Sequence, residues 1–204
     1  MRQLREAVAG GVESTALLDA GSEIFSLPAG RLRPREGQIE LIDPVELETD
    51  ERTLLVHRAS MTATLRDFHG EEIVVETLDP WSSPAVYARE SRLRTAASNR
   101  PVLHAWIAIA WNHLPESVGD GLAFGSRPFG TLLDEAGIAF RHAPQSYLRL
   151  RGAPGTASGL GLPAEAEPVG RDVIVTDRSG LTLARSIEFV AGTARSQRCS
   201  GSRG

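Results

Sequence analysis

Two charged side chains interrupt stretches otherwise fit for burial: Arg89 in AVYARESRL and Glu188 in ARSIEFVAG. With the two-residue period of a strand, Tyr87 and Arg89 share one face of the first segment, and Ser186 and Glu188 share one face of the second. A charge turned toward a core must be paired or must serve a ligand, because an isolated buried ion is expensive. Two outcomes stay open for Arg89. It can pair with a neighbouring carboxylate on an exposed sheet face, or turn inward and offer its planar fork to the carboxylate of a small molecule.

The common catalytic kits are missing. The five histidines, His57, His69, His104, His113 and His142, form no HExxH or other i, i+4 pair, and none stands beside a GxSxG elbow. The ordinary reading of each is a surface or hydrogen-bonded histidine; His104, inside the apolar run PVLHAWIAIAW, is the least ordinary. The carboxylates are scattered without DxD or EF-hand spacing, so no metal is expected. GLAFGSRPFG lacks the strand-to-helix GxGxxG register of a dinucleotide fold. The single cysteine, Cys199, allows neither an internal disulfide nor a cysteine-built zinc site. All 22 basic residues are Arg, which removes Schiff-base and P-loop lysines. What remains is a protein that works by positioning and fixed charge without a cofactor, or one that only binds.

Charge and patterning bound the partners. The formal net charge of −4, with 22 basic against 26 acidic residues, is unlike the basic footprint that nucleic acid selects. The N-terminal MRQLREAVAGGVESTALLDAG mixes charges into its apolar residues and offers no signal peptide or membrane span. A cytoplasmic protein, monomer or homodimer, without membrane or nucleic-acid partner, is expected.

The elements that must position Arg89 and Glu188 come next. With 204 residues the chain can bury one sizeable core, and a single domain over 1–192 with a disordered tail over 193–204 is expected. Leu4, Val8, Val12, Leu17 and Leu18 have roughly helical spacing, weakened by Gly10 and Gly11. Residues 27–43 read as a loop and a short alternating strand. Met61, Ala63 and Leu65 open either an amphipathic strand or the first turns of a helix. EEIVVETL (71–78), AVYARESRL (85–93) and PVLHAWIAIAW (101–111) read as strands, and their short connectors imply antiparallel neighbours. Pro115 to Leu133 reads as an interrupted helix, and LLDEAG as a helix ending at Gly137. VIVTDRSGLTLARSIEFV (173–190) is the strongest hairpin signal in the chain, and the Gly- and Pro-rich stretch 151–170 reads as an irregular, mobile insertion. The fold class expected is α+β: a mostly antiparallel sheet with helices on one face.

Four blocks together resemble the chorismate pyruvate-lyase family: SMTATLRDFHGEEIVVETL (60–78), AVYARESRL (85–93), RPVLHAWIAIAWNHLP with SRPFGTLL (100–133), and RDVIVTDRSGLTLARSIEFV (171–190). The likeness covers roughly the last 145 residues in order and spacing. It implies a chorismate lyase-like fold and a cofactor-independent carbon–oxygen lyase that removes pyruvate from chorismate to leave 4-hydroxybenzoate. Arg89 would then bind the substrate carboxylate and Glu188 would meet the ring hydroxyl, as orienter or as proton-transfer group. Met61, Phe129 and Gly130 would close over the ring with main-chain donors and apolar side chains, and Tyr87 and His104 would complete the substrate site. Phe129 departs from the aliphatic residue usual at that position, DPWSSP is shorter than the corresponding family segment, and 151–170 has no counterpart there. These departures leave two alternatives: an enzyme of the same fold in secondary metabolism acting on another carboxylated substrate by cyclisation or elimination, or a non-catalytic small-molecule-binding domain.

Overall fold

In a computed structural model of the chain, residues 31–123, 125 and 127–191 are described. The helix expected within residues 1–20 and the tail at 193–204 lie outside them. One seven-stranded, entirely antiparallel sheet organises the molecule, in the spatial order β1-β5-β6-β7-β4-β3-β2. Its strands are β1 (Gln38–Ile42), β2 (Ile73–Ser82), β3 (Tyr87–Thr95), β4 (Pro101–Ile109), β5 (Phe140–Arg151), β6 (Val169–Asp177) and β7 (Thr182–Val190). The helices are α1 (Thr49–Leu55), α2 (Met61–His69), α3 (Glu116–Ala123), α4 (Phe129–Glu135) and α5 (Pro154–Gly159), with 3₁₀ turns at Pro44–Glu46 and Trp111–His113. None of these helices is long and apolar enough to cross a membrane.

The sheet grows from hairpins because its connectors are short. β2, β3 and β4 form a meander, and the β6–β7 hairpin inserts β7 beside β4. The β6–β7 turn works because Asp177 Oδ1 accepts from the backbone N–H of Ser179 and Leu181, while Gly180 takes φ +91°, a left-handed value that a side chain resists. Segment 61–69 resolves as helix. Met61 and Leu65 lie four apart, so both meet the sheet, and Gly70 at φ +68° ends the helix as a left-handed cap.

Four helices pack on one face in two apolar clusters. Leu54 and Leu55 of α1 and Leu65 of α2 meet Val75, Leu93 and Leu103; Leu122 of α3 and Leu133 of α4 meet Ile109, Val173 and Val175. Each leucine so buried contributes on the order of 2 kcal/mol of transfer free energy. Between these clusters the same face is left open as a cleft.

Two expectations are corrected. Residues 140–151, for which the sequence pattern predicts no element, form β5, whose register shifts between Pro144 and Ser146. That bulge breaks the period of two, which is why the strand is hard to read in FRHAPQSYLRLR. Residues 151–170, expected as an irregular insertion, are without helix or strand over 160–168 but not throughout. They carry α5, with Ala153, Thr156, Ala157 and Leu160 buried, and Leu160 packs with Trp106 and Phe189 on the face opposite the other helices. Helices therefore cover both faces, unequally. The burial comes from Ala, Gly and Thr, small residues that carry little hydrophobic signal individually but let a short helix approach the sheet closely.

Candidate functional site

The cleft lies between the sheet and the first turns of α2 and α4, and encloses about 570 Å³ including its mouth. Strand alternation supplies its floor: Arg89, Ser91 and Leu93 from β3, Leu103, Ala105 and Ile107 from β4, and Ser186 and Glu188 from β7. Met61 and Phe129 form the opposite wall. Gly130 lies close to the start of α2: a Cβ there would stand 2.8 Å from Ser60 Oγ, so that hydroxyl would have to turn aside.

Arg89 is 3% exposed. Its Nη2 donates to the Arg127 carbonyl at 3.0 Å, and its Nη1 makes long contacts of 3.4 Å to Thr77 Oγ1 and to the Gly125 carbonyl. Nε is buried without a partner. No carboxylate among the described residues pairs with this guanidinium, and burial lowers its pKa, with the nearby Tyr87 phenol acting in the other direction.

Glu188 is placed differently. Its Oε2 accepts from Arg171 Nε at 2.9 Å and its Oε1 accepts from Ser186 Oγ at 2.9 Å. Burial pushes its carboxyl upward, yet the Arg171 charge, His142 and these two hydrogen bonds outweigh burial and hold it below the usual range, so it is an anion. Arg171 is fully buried, and its Nη1 also donates to the carbonyls of Leu55 at 3.0 Å and His57 at 3.2 Å, tying the end of α1 to the floor of the cleft. His142 lines the cleft from β5, and burial drives its pKa down to about 4, the Glu188 charge opposing and the Arg171 charge assisting. The ring is neutral near neutrality.

The structure thus gathers Arg89, Glu188, Met61, Phe129 and Gly130 around one space. It does not bring Tyr87 or His104 there. Tyr87 is on the face of Arg89 but packs in the apolar cluster of α3 and α4, its ring 5.6 Å from that of Trp111. His104 falls on the opposite face, because its neighbours Leu103 and Ala105 take the cleft side. There it stacks on Trp106 at 4.5 Å, and its Nε2 donates to Glu90 Oε1 at 2.9 Å. Sequence reasoning missed Arg171, His142 and Ser91. Arg171 was accessible by the rule that finds Arg89 and Glu188: it shares a strand face with Val173 and Val175. His142 was not, since its strand went unread. Among the described residues no three His, Cys, Asp or Glu side chains cluster as a metal ion would require.

The chain matches no protein-family profile and no curated protein. Its architecture is similar to solved bacterial structures. It shares 13% identity with PhnF from Mycobacterium smegmatis at a TM-score of 0.52, covering 94% of this chain and 93% of that one. With the effector domain of PhnF alone the identity is 15% and the TM-score 0.51, over 65% of this chain and 88% of that one. A GntR-family transcriptional regulator from Bacillus cereus aligns at 9% identity and a TM-score of 0.43, over 59% of this chain and 92% of that one.

The fold is α+β with an antiparallel seven-stranded sheet, and it fits the chorismate lyase-like architecture that the resemblance implies. The expectation of an enzyme, a carbon–oxygen lyase, is corrected: the solved structures that share this fold at a TM-score above 0.5 are named as PhnF and as its effector domain, and neither name is that of a lyase. For Glu188 the geometry bears only on a proton-donating role. A carboxylate held ionised by a buried guanidinium and a hydroxyl is a poor proton donor.

Proposed function

We propose that this chain is a small-molecule-binding domain of the effector type, and that the cleft takes up a compact carboxylated molecule against Arg89. The observation that carries this reading is the contrast between two buried arginines on one sheet face. Arg171 is neutralised by Glu188, whereas Arg89 has no carboxylate partner among the described residues and is met by Thr77, two main-chain carbonyls and the nearby Tyr87 phenol. Carbonyl dipoles stabilise a guanidinium only in part, and a bidentate carboxylate would complete the neutralisation. The first turn of α2 supports the same reading. Ser60 makes no side-chain cap there, so the N–H groups of Met61 and Thr62 stay available at the edge of the cleft.

The roles proposed for the remaining residues follow from their chemistry. Met61 and Phe129 sandwich an apolar body, Gly130 leaves room for the Ser60 hydroxyl, and Glu188 offers its lone pairs to a ligand hydroxyl. Calorimetric titration with benzoate and with benzamide, which lacks the charge, tests the reading. Binding of the acid with little binding of the amide is expected, and Arg89→Met should remove about 2 to 5 kcal/mol of that affinity. Equal binding of acid and amide, or an unaffected Arg89→Met variant, would overturn it.

A further inference from the structure

We infer that Ser91 determines the specificity of this cleft, and that the preferred ligand is a carboxylate carrying a second oxygen acceptor within three bonds of its carboxyl carbon. This rests on the reading of Arg89 as the carboxylate site.

Ser91 is 2% exposed, lines the cleft, and its Oγ has no hydrogen-bond partner. A buried hydroxyl left unmet costs free energy comparable to a lost hydrogen bond, so an unpartnered one inside a cleft marks a place for a ligand atom. The contrast with Ser186 is direct, since that hydroxyl donates to Glu188 at 2.9 Å. Arg89 Nε is the other unpartnered donor at the cleft, and it lies two residues away on the same strand face.

Strand register shows where that ligand atom must go. Ser91 pairs with Ala105 and Ala105 with Glu188, which makes one row across three strands. The flanking rows are Leu93, Leu103 and Val190 on one side and Arg89, Ile107 and Ser186 on the other. Alanine is the smallest side chain of these rows, so the floor dips at Ala105. A serine hydroxyl reaches only one methylene above the sheet, and a ligand atom must enter this dip to meet it. Arg89 and Ser91 are about 7 Å apart along the strand. A ligand whose carboxylate takes the free Nε edge reaches Ser91 with an acceptor beside the carboxyl group. A substituent on the far side of a ring points away from both.

The test uses benzoate, 2-hydroxybenzoate and 4-hydroxybenzoate with wild type, Ser91→Ala and Ser91→Thr. The hydroxyl of 2-hydroxybenzoate donates internally to its own carboxylate and leaves its lone pairs outward. Wild type should bind it about tenfold more tightly than benzoate, the worth of one added hydrogen bond. Ser91→Ala should lose that preference, and Ser91→Thr should retain it. The ligand-free Ser91→Ala protein should melt no lower than wild type, because it discards an unmet hydroxyl. Absence of the preference in wild type, its survival in Ser91→Ala, or a lower melting temperature of that variant overturns the assignment of Ser91 alone, provided that the acids bind. If none of the three acids binds wild type, the carboxylate reading falls and this assignment with it.

Discussion

Arg89 and Arg171 face the same side of the sheet, yet removing them should have opposite consequences. Arg171 neutralises Glu188 and donates to two carbonyls at the end of α1, all without contact with solvent. Arg171→Met should therefore destabilise the protein by about 3 to 5 kcal/mol, since it strands a buried carboxylate. The double variant Arg171→Met/Glu188→Leu should recover much of the loss. Urea unfolding measures both, and a single variant as stable as wild type would show that the pair contributes little. Arg89 and Glu188 stood out in the sequence because each breaks an apolar strand, whereas Arg171 did not. Whether each is paired was not legible there, since Arg171 and Glu188 are brought opposite each other only by the β6–β7 register.

At the scale of elements, close approach of backbones decides the outcome. Gly170 of β6 lies opposite Phe189, and a Cβ at that position would run into the Glu188 carbonyl and the Phe189 ring. Gly170→Ala should then shift β6 against β7, with a loss of about 1 to 3 kcal/mol from overpacking and a weakened Arg171–Glu188 pair beside it. Urea midpoints of this variant and of Gly137→Ala separate the two causes of a glycine requirement. Gly137 has open space around its Cα and only its φ of +67° to lose, so its variant should cost less, about 1 kcal/mol. Equal losses would remove the steric account. The strands of the meander and the β6–β7 hairpin were readable from alternation and turn residues. α5 and β5 were not, because one is built from small residues and the other is interrupted by a bulge.

Across the whole molecule, burial of titratable groups couples stability to pH. His142 has a folded pKa of about 4 against an ordinary 6.5, so the unfolded chain takes up its proton first as the pH falls. The stability carried by the neutral ring is complete above about pH 6.5 and drains away between 6.5 and 4, a total of about 3 kcal/mol. His57, also lowered chiefly by burial and then by the Arg171 charge, adds in the same direction. Glu188, held low, keeps its share until more acid conditions. Stability measured by urea unfolding should fall steadily across this window, and His142→Gln should flatten the slope. An unchanged slope in that variant would show that the ring is not buried as described.

The sequence by itself determined the α+β class, the antiparallel meander, the final hairpin and the two charges that interrupt apolar strands, because each is written in local period, turn chemistry and residue type. Only the tertiary structure decided that Glu188 is already neutralised and Arg89 is not, that His104 belongs to the opposite face, and that Ser91 is left unmet. Those facts depend on which strands lie side by side and in what register. Segments distant along the chain settle that register together, and no window of sequence contains it.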